Sequence, residues 1–105
     1  MVTGVEDNHD GIPSAFELNQ NYPNPFNPST VISYQLPINS NVRLKVYDIL
    51  GRDVTILVNK EQEAGTHEIR FDASRLSSGV YFYRIEIRTN DGRVFTSTRK
   101  GLLLK

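Results

Sequence analysis

Hydrophobic and polar residues alternate along most of this chain, in short runs separated by Gly, Asn, Asp and Ser. A period of two places successive side chains on opposite faces of a β-strand, whereas an amphipathic helix needs apolar residues three and four positions apart. Residues 42–49 are a clear example, because Val42, Leu44 and Val46 fall on one face and Arg43 and Lys45 on the other. The pattern predicts an all-β sandwich with one solvent-facing side on each sheet.

The alternating runs predict about seven antiparallel strands. We expect them at residues 15–18, 30–36, 42–49, 54–58, 67–72, 79–89 and 94–98. The longest run places Tyr81, Tyr83, Ile85 and Ile87 on one face, which predicts a central strand. The turn signal Asn90-Asp91-Gly92 follows it, and Asp-Gly tolerates the positive φ of tight turns. The last two strands should therefore form a hairpin that is followed by an exposed end at residues 99–105. Residues 59–66, between the fourth and fifth strands, should form a polar loop.

The length of 105 residues predicts one folded domain. Residues 1–14 are polar and predict a linker, with Met1 as a start residue added to it. Residues 15–105 contain all the predicted strands and should form the domain. We expect the chain to be the C-terminal piece of a longer protein.

Charge and cysteine content exclude several classes of partner and site. Basic and acidic residues number 12 each, so no net field favours nucleic acid or an anionic membrane. The chain has no cysteine, which removes disulfides, thiolate chemistry and cysteine zinc sites. No apolar run reaches the 18 residues of a membrane span. We expect no nucleic acid partner and no membrane span.

Three prolines lie close together in residues 21–30, at Pro23, Pro25 and Pro28. Each fixes φ and lacks a backbone donor, so the segment cannot be a central strand. It should cross between sheets or cover a sheet edge, with Tyr22 and Phe26 closing the end of the core. A proline-rich ligand for another protein is the alternative.

The N-terminal segment contains a weak calcium-loop pattern. Glu6, Asn8, Asp10 and Glu17 occupy positions 1, 3, 5 and 12 of the EF-hand spacing. Against this site, position 1 is Glu instead of Asp, Pro13 interrupts the loop, and no helix pattern flanks it. A polar linker explains these residues, and we expect no metal and no cofactor.

Catalytic constellations are not evident in the sequence. The two histidines are His9, in the linker, and His67, which alternation places at the margin of the core. Asp48, Asp53 and Asp72 lie at strand ends, where Asx turns explain them. No nucleophile-base pair or phosphate loop can be assembled. We expect the chain not to be an enzyme.

Charged residues alternate along two predicted strands. Arg84, Glu86 and Arg88 share one face, as do Arg43 and Lys45. Interspersed charge on the solvent side of a sheet explains them. A cationic stripe that binds a ligand is the alternative.

Four motifs in this order resemble a known family. They are FELNQNYPNPFNPST at residues 16–30, VRLKVYDILGRDV at 42–54, LSSGVYFYR at 76–84 and TRKGLLLK at 98–105. Together they resemble the C-terminal sorting domain of the type IX secretion system, also called the Por secretion system tail, type A. The resemblance covers about residues 15–105.

The resemblance implies an immunoglobulin-like sandwich that sorts an upstream cargo domain on the same chain. Its implied partners are the outer-membrane secretion machinery and a sortase-like peptidase that removes the domain. The implied destination, via the periplasm and outer membrane, is the cell surface or the medium. The residues expected to be recognised are Gly79, Tyr81, Arg99, Lys100, Gly101, Leu102, Leu103, Leu104 and Lys105.

An accessory immunoglobulin-like module is the alternative function. Such a module would bind carbohydrate or space a catalytic domain of a secreted enzyme. Carbohydrate binding needs exposed aromatic rings, and parity makes Tyr47 and Phe82 the main outward aromatic residues.

Overall fold

The computed structural model describes residues 12–105, which form seven strands. The strands are β1 Glu17–Leu18, β2 Ser29–Leu36, β3 Ser40–Tyr47, β4 Asp53–Gln62, β5 Gly65–Asp72, β6 Gly79–Thr89 and β7 Val94–Leu103. They make a three-stranded sheet, ordered β1-β2-β5, and a four-stranded sheet, ordered β4-β3-β6-β7. All strand pairs are antiparallel. The predicted all-β sandwich of about seven antiparallel strands is confirmed.

The core lies between the inner faces of the two sheets. Its buried hydrophobic residues include Ile32, Tyr34, Leu36, Val42, Leu44, Val46, Phe71, Tyr83, Ile85 and Ile87. These are the residues that alternation placed inward, because only one face of each strand can contact the other sheet. Burial of this apolar surface is the main favourable term in folding such a sandwich.

β6 is a central strand, as predicted. It pairs with β3 on one side and with β7 on the other. The β6–β7 turn closes with the Thr89 N–H donating to the Arg93 carbonyl at 2.9 Å. Gly92 in this turn has a φ of +93°, which glycine adopts without strain.

β4 is longer than the sequence predicted. It runs through Gln62, so most of the expected polar loop is strand, and the connection to β5 shortens to Glu63 and Ala64. Ser40, expected in a turn, is the first residue of β3 and is buried. β4 lies at the edge of its sheet, where its backbone hydrogen bonds to β3 hold the strand in place. Polar residues on the exposed side of an edge strand cost little stability.

β7 is also longer than predicted. The expected strand was 94–98 with an exposed end, whereas β7 continues through Leu103. Phe95, Gly101 and Leu103 continue the inward face, and Gly101 and Leu103 are buried. The expected exposed end at residues 99–105 holds for Arg99, Lys100, Leu104 and Lys105, whereas Gly101 and Leu103 are buried.

The proline segment covers a sheet edge, which is one of the two structural roles predicted for it. Its peptide bonds before Pro23, Pro25 and Pro28 are cis. Phe26 is buried and closes the end of the core, as predicted. Tyr22 does not, because its side chain is 80% exposed. Its backbone bonds to Val31 in both directions instead, at 3.0 and 2.9 Å.

The carboxylates at strand ends are structural. Asp48 Oδ1 accepts backbone N–H groups of Leu50 and Arg52, and Asp72 Oδ1 accepts that of Ser74 at 2.9 Å. The bond from the Arg52 backbone lowers the pKa of Asp48, and that from the Ser74 backbone lowers the pKa of Asp72. The predicted Asx turns are confirmed at both positions.

Tyr34 predicts a loss of stability at alkaline pH. Burial raises its pKa from 10.0 to about 12, and its hydroxyl donates to Gln62 Oε1. Folding favours the protonated phenol, so this contribution is complete below pH 10.0 and is lost as pH rises to about 12. Burial also raises the pKa of Tyr83. We expect the free energy of unfolding to fall over this interval in urea titrations.

Tyr34→Phe removes one titrating group and should make this fall shallower. Tyr22→Phe changes an exposed ring and is the matched control. An identical pH slope in Tyr34→Phe and the unchanged protein would contradict the assignment.

Candidate functional site

The residues expected to be recognised lie where β6 begins and β7 ends. Gly79 is opposite Leu103 and Tyr81 is opposite Gly101 in the ladder. The Tyr81 hydroxyl donates to the Ser77 carbonyl at 2.7 Å. Two sequence segments about twenty residues apart are therefore brought together at one end of the four-stranded sheet.

The three consecutive leucines do not share one environment. Leu103 is fully buried, whereas Leu104 is 51% exposed and Leu102 is partly exposed. Strand alternation imposes this difference, since Leu103 points to the core and its neighbours point away. Leu103 thus contributes to folding, whereas the side chains of Leu102 and Leu104 are accessible to a partner.

The outer edge of β7 is held by Phe26 of the proline segment. The Phe26 N–H donates to the Leu102 carbonyl at 2.9 Å, and the Leu104 N–H donates to the Phe26 carbonyl at 3.0 Å. This is a parallel bridge between Phe26 and Leu103. The Phe26 ring meanwhile packs 6.0 Å from the Phe71 ring in the core. The opening and closing motifs of the sequence therefore form one structure.

Two side chains of the same segment complete this edge. Gln20 Nε2 donates to the Lys100 carbonyl at 2.7 Å, and the Leu102 N–H donates to Asn24 Oδ1 at 2.9 Å. We call residues 20–26 the edge clamp. The clamp pairs the outward backbone groups at the end of β7, which blunts that edge against other chains.

Asn21 is a buried polar residue at the centre of the edge clamp. Its side chain donates to Thr30 Oγ1 at 3.0 Å and to the Pro23 carbonyl at 3.1 Å. Its backbone N–H donates to the Tyr83 hydroxyl at 2.7 Å. A Cβ added at Gly101 would lie only 3.0 Å from Asn21 Oδ1. Asn21 therefore occupies the space that a side chain at Gly101 would need.

The basic residues near the end bond to backbone carbonyls. Lys105 Nζ donates to the Ser74 and Leu76 carbonyls at 2.7 and 2.9 Å. Arg99 Nε donates to the Leu18 carbonyl at 2.7 Å, which ties β7 to the first strand of the other sheet. Arg99 therefore lies away from Lys105 and joins the two sheets.

Apolar side chains are exposed at this end of the four-stranded sheet. Ile49 and Leu50, in the turn after β3, are 63% and 73% exposed. The pairing of Tyr47 with Phe82 places this turn at the end where β6 begins. Exposed apolar groups close to one another mark interaction surfaces. We call Ile49, Leu50, Leu102 and Leu104 the apolar end.

The sequence did not identify the edge clamp as part of the site. Gln20, Asn21 and Asn24 are polar residues in a segment without periodicity, so no pattern showed which of them is buried. The density of Asn and Pro around Phe26 was the available signal. It indicated edge protection without naming the strand that is protected.

The structure offers no catalytic or metal arrangement within residues 12–105. No group of three or more His, Asp or Glu side chains in this range could hold a metal ion. Glu6, Asn8 and Asp10 of the calcium-loop pattern lie outside the described residues, and Glu17 is exposed on β1. The ring of His67 stacks on Tyr34 at 5.5 Å. No helix in this range is long and apolar enough to cross a membrane.

The charges on the outer face of the four-stranded sheet are partly paired. Glu86 forms ion pairs with Arg43 at 2.9 Å and with Arg88 at 3.2 Å. Lys45 pairs with Asp53 at 2.9 Å, and this hydrogen bond raises the pKa of Lys45. Exposed pairs of this kind contribute little stability. The interspersed charge predicted for a solvent face is observed.

Two solved structures share the fold. Dimeric latent PorU from Porphyromonas gingivalis matches with a TM-score of 0.66 and 20% identity over 88% of this chain and 10% of that chain. CopC from Methylosinus trichosporium OB3b matches with a TM-score of 0.58 and 16% identity over 85% of this chain and 93% of that chain. No curated protein sequence matches.

The family comparison covers most of the described domain. Residues 20–96 match the family described as secretion system C-terminal sorting domain. The match includes the edge clamp and the strands β2 to β6. Domains of this family direct proteins to the cell surface or the medium. The chain belongs to the secretion system C-terminal sorting domain family.

Proposed function

We propose that this domain is a non-catalytic sorting module that directs an upstream cargo protein across the outer membrane and is recognised at its apolar end. The family supports a secretion signal on the same chain as its cargo. The observation that carries the proposal is the split between Leu103, in the core, and Leu104, in solvent. A folded end of β7 presents side chains to a receptor while its backbone stays in the sheet.

The recognised surface comprises side chains that leave the sheet at this end. Leu102, Leu104, Ile49 and Leu50 supply apolar area, and Lys100 supplies a charge at its rim. An apolar centre with a polar rim is the usual composition of a protein interface. The strand ends are held in place by Gly79, Tyr81, Gly101 and Leu103. Lys105 fixes the end of the chain through the Ser74 carbonyl, and Arg99 joins β7 to the other sheet through the Leu18 carbonyl.

A sortase-like peptidase then removes the domain within the polar segment that precedes it. Residues 1–14 are rich in polar residues and carry few apolar anchors. Cleavage needs a backbone that can enter a peptidase in extended form, which linkers provide. The mass of a released reporter would locate the bond, and release with this domain still attached would contradict the step.

Export of a reporter tests recognition separately from folding. The reporter is fused upstream of this domain in a host with a type IX secretion system and measured in the periplasm and outside the cell. We expect Leu102→Ser together with Leu104→Ser to reduce export at least tenfold without lowering the thermal midpoint. The thermal midpoint should stay unchanged because both side chains contact solvent in the folded domain.

Val94→Ser is the matched control, because Val94 is 54% exposed where β7 begins, at the opposite end of the β6–β7 ladder. This control should export normally. Equal export by the double variant and the control, with both folded, would exclude the apolar end as the recognised surface.

A further inference from the structure

The outer faces of the two sheets carry opposite charge, although the whole chain is neutral. The ladder registers place five basic and three acidic residues on the outer face of the four-stranded sheet: Arg43, Lys45, Arg84, Arg88 and Lys100 with Asp53, Glu61 and Glu86. The outer face of the three-stranded sheet carries Arg70 with Glu17, Glu68 and Asp72. The domain is therefore polarised across its thickness, with the positive side on the larger sheet.

Two of the basic residues on the positive face lack an acidic partner. Glu86 and Asp53 take up the other cations, and no carboxylate of residues 12–105 forms an ion pair with Arg84 or Lys100. Arg84 lies directly opposite Lys45 in the ladder. Like charges opposite each other are destabilising. Arg84 therefore gains no ion pair from folding and has a like charge opposite it.

Two aromatic rings lie in the next row of the same face. Tyr47 is opposite Phe82, and Phe82 is opposite Lys100. Neighbouring strands are about 4.8 Å apart, so the row from Tyr47 through Phe82 to Lys100 spans about 10 Å, close to the length of a disaccharide. Both rings are partly exposed. A depression of about 110 Å³ adjoins Tyr47 and is lined by Arg43, Lys45, Tyr47, Arg84 and Glu86.

We propose that this face binds an acidic polysaccharide, one whose sugar rings carry carboxylates. Phe82 would take the apolar face of a sugar ring beside Tyr47, over whose ring Lys45 Nζ lies at 5.4 Å. Arg84 and Lys100 would take the carboxylates. The acidic residues on the face accept hydrogen bonds from sugar hydroxyls. The chain carries no net charge, whereas nucleic-acid binding draws on an excess of basic residues that contact many phosphates, and this favours the saccharide. The site shares Lys100 with the rim of the apolar end, its other residues lie outside that end, and it goes beyond the sorting function.

Titration calorimetry with oligogalacturonate tests this site on the full 105-residue chain. We expect saturable binding that weakens at least tenfold when the carboxylates of the same oligomer are methyl-esterified. Arg84→Gln together with Lys100→Gln should reduce the affinity at least tenfold, and Phe82→Thr at least fivefold. Thermal midpoints establish that each variant is folded.

Arg70→Gln is the matched control, since Arg70 is an exposed cation on the opposite face. Its affinity for the acidic oligomer should change less than twofold. Absent binding, equal binding of the esterified oligomer, or equal loss in Arg70→Gln would each overturn the proposal. Tighter binding of single-stranded DNA than of oligogalacturonate would do so as well.

Discussion

Leu103→Ala is expected to lower the free energy of unfolding by about 3 kcal/mol, the usual cost of truncating a fully buried leucine. Leu103 has no exposed surface and lies opposite Gly79 at the end of the β6–β7 ladder. Truncation leaves a cavity at the point where Phe26 closes the core. Urea unfolding followed by circular dichroism measures the loss.

Leu104→Ala is the control for this prediction. Leu104 is the next residue and is half exposed, so its truncation should cost less than about 0.5 kcal/mol. A similar loss in both variants would mean that the end of β7 does not alternate between core and solvent. The pair also gives export assays a folded and a destabilised variant one residue apart.

Gly101→Val is expected to lower the free energy of unfolding by about 3 kcal/mol, at the upper end of the cost of overpacking. Its Cβ would lie 3.0 Å from Asn21 Oδ1 and 3.1 Å from Asn21 Nδ2. Asn21 cannot move aside without losing its bonds to Thr30 and Pro23. The same urea titration measures this change.

Asn21→Ala combined with Gly101→Val separates crowding of the Asn21 side chain from the effect of valine on the strand propensity of position 101. Removing the Asn21 side chain vacates the space that the introduced valine side chain would fill, so the loss in the double variant should be smaller than the sum of the two single losses. Asn21→Ala alone should cost about 1–3 kcal/mol, because Thr30 and its neighbours lose a buried partner. Fully additive losses would show that Asn21 does not limit position 101.

The strands were predictable wherever one face meets the core and the other meets water. Val42, Leu44 and Val46 illustrate this, since their parity alone fixed the inward face of β3. The same rule placed β6 at the centre of its sheet. Period-two patterning is a direct consequence of strand geometry, so it survives in the sequence.

The extent of the edge strands was not predictable in the same way. β4 continues through polar residues because its ladder to β3 supplies the hydrogen bonds. β7 continues past Thr98, where the sequence predicted its end, and through Gly101 to Leu103. The glycine is there because Asn21, far earlier in the chain, fills the space of a side chain. Such a contact between distant residues leaves no local pattern.

The proline segment shows a further limit. Tyr22 and Phe26 are both aromatic and flank the same prolines, yet Phe26 is buried and Tyr22 is exposed. The segment lacks a period, so parity could not tell them apart. Which ring enters the core depends on the backbone bridge from Phe26 to β7. The sequence therefore proposed residues 79–81 and 99–105 for the candidate site and did not include the edge clamp.

The position of the edge clamp makes closure of the fold depend on the last residues of β7. Phe26 hydrogen-bonds the backbone of Leu102 and Leu104, and Leu103 fills the core beside it. Without residues 101–105, Phe26 would keep its ring contact with Phe71 but would lose its backbone bonds to β7. Closure of the core at Phe26 is therefore coupled to a contact between the first and last parts of the described domain.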